Sequence, residues 1–228
     1  MKHLIVATTL LVTAAFGSSA GAQVVAKPSE DSKHILSVRT GFNSAVATTT
    51  GYAYQLSPGT FKKGSLLYGE LTVPVGALNG GSSGLSDSSV HLGLRTTLLG
   101  DGNFRLQAEG GPALINEKSR LFTAHALGLH AALLPGYQSN RWGLMAELGY
   151  EKMLATRLGH SDLYKDTFYS GAEDGWYRNT AGTARLGIRA GVRFGTTQVT
   201  LRAGAITTER GNPHLPPFYA TIGASYGF

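Results

Sequence analysis

The sequence predicts an all-β chain, a closed antiparallel up-and-down transmembrane β-barrel of ten strands, with eight as the alternative count. Three observations predict it. Segments of about ten residues alternate apolar with polar or small side chains, so the two faces of each strand meet different surroundings. Charges within these segments fall opposite the apolar stripe. Aromatics on the apolar face gather at the segment ends, as belts at membrane interfaces do.

The closing stretch, Phe218 to Phe228, shows all of this most clearly. Phe218, Ala220, Ile222, Ala224, Tyr226 and Phe228 form one face, and Tyr219, Thr221, Gly223, Ser225 and Gly227 the other. At about 3.3 Å per residue and a tilt near 45°, the stretch covers roughly the 25 Å apolar band of an outer membrane.

The chain begins with an export signal. Lys2 and His3 precede the apolar run Leu4 to Phe16, and Ser18-Ser19-Ala20-Gly21-Ala22 ends in a small-residue cleavage pattern before Gln23. That run is too short to span as a helix, and no later segment offers a helical span. The division is therefore signal 1–22, polar periplasmic lead-in 23–33 and barrel 34–228. There is no cysteine, so no disulfide frames the fold. The net charge of +6 suggests nucleic acid only until export is considered. No cofactor or metal is expected, since no pair of histidines has a ligand spacing along one strand.

In order, the expected strands are His34–Phe42, Thr50–Leu56, Ser65–Gly76, Ser89–Leu99, Phe104–Ile115, Leu121–Leu133, Arg141–Lys152, Thr183–Gly195, Gln198–Ile206 and Phe218–Phe228. Asn43 to Thr49 reads as a loop, and Pro74 marks the end of regular pairing or a bulge. Gly100-Asp101-Gly102-Asn103 is a tight hairpin turn. Asn116–Arg120 and Thr207–Pro217 read as loops, and Met153–Thr180 as the longest. The connections after the third, seventh and ninth strands are long, and those after the fourth, sixth and eighth short. That is the asymmetry of outer loops and periplasmic turns.

The lumen face carries Arg39, Glu70, Arg95, Arg105, Glu109, Glu147, Glu151, Arg185, Arg189, Arg193 and Arg202. Charges in a narrow interior must pair, and the glycines between them leave room to do so. Phe104, Trp142, Phe194 and Phe228 are expected in a periplasmic girdle, with Tyr150 and Phe218 at the opposite rim. His91 and His130 point inward; His125 falls on the outward face beside Leu127, which puts it near a rim.

With these residues in view, the chain resembles the small Gram-negative outer-membrane barrels, the broad OmpA-like and ten-stranded group. The signal segment and alternating hairpins such as RWGLMAELGYEK carry the resemblance across the mature chain. The terminal YGF, with Tyr226 and Phe228, resembles the signal read by the barrel-assembly machinery. The resemblance implies outer-membrane lipid and that machinery as partners, and an outer-membrane location.

Chemistry has one candidate cluster, His160-Ser161-Asp162 in the long loop: a base, a hydroxyl and a carboxylate. Adjacency on a loop seldom builds such a geometry, and these are ordinary loop residues. The motifs of lipid A deacylases and outer-membrane proteases are not found, although His160, Asp162, Asp166 and Asp174 offer ingredients of the latter. The expected function is a non-enzymatic envelope-structural or surface-interaction role through the outer loops, with the surface ligand unknown. Tyr164, Phe168, Tyr169, Trp176 and Tyr177 offer aromatic anchors for it. The alternatives are a lipid-modifying enzyme or protease with a rim site, and a narrow channel whose arginine excess favours anions.

Overall fold

The computed structural model describes residues 32–43, 45–56, 64–75, 88–100, 102–209 and 213–228. The signal, most of the lead-in and the glycine-rich run 76–87 lie outside these residues. Alternation along the chain becomes ten strands: β1 (His34–Asn43), β2 (Ala45–Gln55), β3 (Leu66–Pro74), β4 (Ser88–Leu99) and β5 (Phe104–Lys118), then β6 (Phe122–Gln138), β7 (Trp142–His160), β8 (Gly175–Phe194), β9 (Thr197–Thr208) and β10 (Pro213–Gly227). A short helix, α1 (Asp162–Thr167), lies between β7 and β8.

Each strand pairs antiparallel with its sequence neighbours, and β10 returns to β1, so the sheet has no edge. The closure is continuous from Asn43 opposite Tyr219 to Ile35 opposite Gly227. His34 N–H donates to the Phe228 carbonyl at 3.0 Å and Phe228 N–H to the His34 carbonyl at 2.9 Å. The ten-strand count, rather than eight, is the one realised.

The expected faces are those observed. Leu36, Leu67, Leu92, Leu133, Leu148, Ile188, Leu201 and Ile222 are exposed on the outside, each by 43–56%, in β-strands that bury their alternate residues. Arg39, Glu70, Arg95, Glu109, Glu147, Arg189 and Arg202 are buried inside. A face of leucine and isoleucine turned away from a charged interior is the reverse of a soluble sandwich and suits lipid. Pro74 is the last residue of β3, where its missing N–H breaks no further ladder bond.

Positive backbone angles fall where hairpins need them. Gly100 (φ 93°) precedes β5, and a Cβ there would lie 2.2 Å from the Phe104 carbonyl oxygen. Gly195 (φ 62°) makes the turn from β8 to β9. The turns 119–121 and 139–141 are instead tied by Ser119 and Ser139, whose hydroxyls accept from the backbone N–H groups of Leu121 and Phe122, and of Arg141 and Trp142.

The structure corrects several loop expectations. Most of Asn43–Thr49 belongs to the β1–β2 hairpin, with Asn43 opposite Ala45. Asn116–Lys118 extends β5, and the outer parts of Thr207–Pro217 extend β9 and β10. Above all, Met153–His160 continues β7 and Gly175–Thr180 begins β8, which leaves a connection of 161–174 rather than a loop of 153–180. Strand length, more than loop length, therefore carries the asymmetry: β7 and β8 have 19 and 20 residues, whereas β3 has 9. β5 to β8 rise as a wall at the end of the barrel opposite the termini.

The polarity of that wall is inverted. Across the bulge where Leu127 opposes Ala155 and Gly128 opposes Met153, Leu154 is an extra residue on β7. At and beyond it the buried inward side chains are apolar apart from Thr156, with Ile115, Phe122, Ala124, Ala126, Met153 and Leu158 forming one buried cluster. The outward ones, such as His125, Arg157 and Trp176, are exposed. Below the bulge lipid faces an apolar exterior; above it water faces a polar one.

Candidate functional site

The lumen is the first candidate, and side chains from facing strands fill it. Arg39 on β1 grips Glu70 on β3 with two bonds, Nη1 to Oε1 at 3.0 Å and Nη2 to Oε2 at 2.8 Å. Arg95 on β4 donates to Glu109 on β5 through Nε (2.9 Å) and Nη2 (2.5 Å). Arg189 on β8 reaches across to the same Glu109 at 2.6 Å while also donating to Glu147 on β7 at 3.0 Å. Arg202 on β9 completes Glu147 through Nε at 2.6 Å and a second bond from Nη2 to Oε1. Arg95, Glu109, Arg189, Glu147 and Arg202 thus form one chain of alternating charge from β4 to β9.

Tyrosines pack against this chain, and glycines make space for them. Tyr219 on β10 donates to Glu147 Oε2 at 3.2 Å, and the Arg202 guanidinium sits 5.0 Å from its ring centre. A Cβ on Gly187 or Gly204 would lie 2.2 or 2.7 Å from the Tyr219 hydroxyl. Tyr68 on β3 covers Gly93 in the same way, with its hydroxyl 2.5 Å from that residue's would-be Cβ, and shares a 2.7 Å hydrogen bond with His130 Nε2 on β6.

A looser cluster joins His91, Glu151 and Arg185. His91 Nε2 is 3.3 Å from Glu151 Oε2, and Arg185 Nη1 approaches the same oxygen at 3.9 Å. Glu151 Oε1, Arg185 Nε and Nη2, and the Nδ1 atoms of His91 and His130 have no hydrogen-bond partner there. Two predicted members stand apart from both clusters. Arg105 donates to the Gly102 carbonyl at 3.0 Å in the turn beside the termini, and Arg193 lies half-exposed one residue from the end of β8. Position along the strand separates them: both are a single residue from a strand end.

Beside the charges and toward the terminal end the lumen is apolar or amide-filled. Ile35, Ala53, Leu66 and Tyr68 make one buried cluster, and Ala132, Leu134 and Met145 another. Gln107 donates to Gln138 at 3.1 Å between them. Together with the cluster of the wall, packed side chains occupy the lumen at several levels.

The predicted loop cluster is arranged differently from a triad. Ser161 caps α1, accepting from Tyr164 N–H at 3.2 Å, and Asp162 is in the first turn of that helix. The partner of His160 is Asp174, whose Oδ1 accepts from His160 N–H at 2.7 Å and lies 3.0 Å from Nδ1. Lys165 Nζ donates to Asp174 Oδ2 at 2.8 Å, and His160 stacks on Tyr164 with ring centres 5.0 Å apart. The His160 backbone N–H, then Lys165 and the His160 side chain, hold the Asp174 carboxyl well below the ordinary carboxylate range; its bond to Asp174 raises Lys165. The carboxylate therefore clasps both ends of the β7–β8 connection. Sequence adjacency pointed to the wrong acid, because Asp174 is distant in sequence and near only through the hairpin. No group of three or more metal-ligating side chains occurs among the described residues.

Aromatics mark two levels outside. At the terminal end Phe104, Trp142, Phe194 and Phe228 are all exposed, between 47 and 75%. Tyr137 joins them, stacked on Trp142 at 4.6 Å and edge-on to Phe104 at 5.2 Å; it was missed because it lies past the expected end of its strand. Tyr226 stacks on Phe228 at 6.2 Å. At the other level stand Tyr150 and Phe218, the latter against Phe42 at 5.5 Å. His125 is on the outward face as expected, its Nδ1 2.8 Å from Asn116 Oδ1.

A closed ten-strand meander, apolar outside, aromatic at two levels and charged within, is an outer-membrane β-barrel. No family model matches the chain, and no curated protein does. Among solved structures it is similar to a KdgM porin, at 7% identity and a TM-score of 0.42, over 85% of this chain and 99% of that one. It is also similar to the outer membrane protease OmpT from Escherichia coli, at 11% identity and a TM-score of 0.44, over 86% and 94% of the two chains.

Proposed function

We propose that the chain is a non-enzymatic, non-conducting outer-membrane barrel, exported through a cleaved signal, that holds a rigid β-wall at the cell surface for an envelope-structural or surface-interaction role. The observation that carries this is the ion chain across the lumen: Arg189 on β8 binds Glu109 on β5 and Glu147 on β7 together. A pore would need those bonds broken, and unpaired buried charge is expensive. The wall, by contrast, offers Leu163, Phe168, Tyr169 and Trp176, all exposed by 41–67%. Purified protein in planar bilayers is expected to give no steady conductance; stable anion-selective steps would overturn the reading in favour of a channel. Alanine at Phe168, Tyr169 and Trp176 together is expected to reduce surface attachment of expressing cells and leave the level of folded barrel unchanged.

The rim-enzyme reading has one observation in its favour, the His160–Asp174 pair at the wall's tip. Lys165 already occupies the second carboxylate oxygen, and Ser161 is engaged as a cap, so the set serves the connection's shape. His160→Ala is expected to leave lipid and peptide turnover by membranes unchanged; a loss with the barrel intact would favour the enzyme.

A further inference from the structure

The outward face of β5 to β8 changes character row by row, and register fixes the rows. The lowest relevant row is Ala108, Leu133, Leu148, Leu186 and Ala205, each directly opposite the next. Above it come Gly110, Ala131, Tyr150, Ala184 and Thr207. Small residues flanking bulky ones leave a concave, almost wholly apolar groove of about 690 Å³ on the lipid side. Next is Lys152, beside Leu129 and Gly182, its ammonium bonded to Glu209, which also accepts from the Tyr150 hydroxyl at 3.2 Å. Past the bulge, Arg178 stands opposite Ala155, and Arg157 stands between His125 and Trp176.

Arg157 and Arg178 are exposed, point away from the lumen, and make no ion pair with a described residue. They are separated by a single step along the wall, and the carboxylate nearest below them, Glu209, is taken by Lys152. Two free guanidiniums with an indole beside them, immediately above an apolar groove, match a molecule that is anionic at the top and hydrocarbon below. The groove lies where acyl chains lie, and the arginines lie where headgroups lie.

We infer that this face is a binding site for a phosphorylated, acylated lipid of the outer leaflet, with a chain in the groove and phosphate on Arg157 and Arg178. This rests on the reading of the chain as a membrane barrel with the wall outward. Arginine suits the role better than lysine because its planar fork takes two phosphate oxygens. Trp176 then borders the sugar or glycerol portion, as interfacial tryptophans do.

The test uses the full mature chain in detergent micelles. Binding of a bisphosphorylated, acylated disaccharide lipid is compared with that of its dephosphorylated form and of inorganic phosphate, for wild type and for Arg157→Gln/Arg178→Gln. The double variant is expected to bind the phosphorylated lipid about thirtyfold more weakly. The wild type should prefer that lipid to the dephosphorylated form, and inorganic phosphate should not compete at equal concentration. Equal binding by variant and wild type, or equal binding of the two lipids, overturns the site. Competition by phosphate alone would reduce it to a simple anion patch and overturns it too. If the variant does not fold, the lipid preference of the wild type decides. Heat-modifiable mobility is scored separately, and its absence from the wild type would undo the barrel reading rather than the site.

Discussion

Glu147 is the residue on which the lumen depends most. It accepts from Arg189, Arg202 and Tyr219, so removing it leaves two buried guanidiniums short of a counter-charge. Glu147→Ala is expected to cost about 3–5 kcal/mol, the usual penalty for breaking a buried pair from one side, measured by denaturant unfolding in micelles. The Glu151 cluster is less tightly bonded, so the same change there should cost less. Asp174 is the residue whose chemistry faces water. Its folded-state ionisation lies below its unfolded value, so its contribution is complete above the ordinary aspartate range and is lost only as pH falls through the lower, folded value. Hydrogen exchange across 161–174 should therefore stay slow down to about pH 4 in the native chain and be fast at all pH values in Asp174→Ala. Equal exchange in the two proteins at neutral pH would contradict the clasp.

At the scale of the element, β5 to β8 hold one polarity rule below the bulge and the opposite rule in the wall above it. Ile188, mid-strand and half-exposed to lipid on β8, should not tolerate charge: Ile188→Arg is expected to cost about 2–4 kcal/mol. Leu154 absorbs the phase change along β7. Deleting it should close the bulge and leave Arg157 outward opposite His125 and Leu158 inward opposite Ala124, so that limited proteolysis still spares the wall and the barrel keeps its heat-modifiable mobility. This is also where the sequence stops being legible. Within the lipid band the repeated apolar face is imposed by hydrocarbon, and the ten strands, their faces and the aromatic levels can be read from period two. Past Lys152 the outward side chains meet water, an extra residue breaks the phase, and the pattern of His160 or Trp176 looks like loop. The pairing of Glu109 with Arg189 was legible only as a need for partners. Which arginine crosses to which glutamate depends on barrel stagger, which no single strand encodes.

The ten strands form a closed cylinder whose first and last strands meet. Closure leaves no strand edge in lipid, and β10 is held to β1 along its whole lower half. Removing Phe228 takes away the His34 ring contact at 5.4 Å and the last backbone pair, and insertion into the outer membrane should fall sharply. Normal surface levels of that truncation would count against the role given to the closing strand. Within the membrane band one face of every strand meets lipid while the other is packed against protein. The chain has no native cysteine, so single cysteines can be placed at will. Bimane attached at Leu148→Cys, Ile188→Cys or Ile222→Cys should be quenched strongly by lipids brominated in their acyl chains. Bimane at Ser225→Cys, on the inward face of β10, should not. Equal quenching at outward and inward sites, or none at any of them in a membrane-bound sample, would contradict the account.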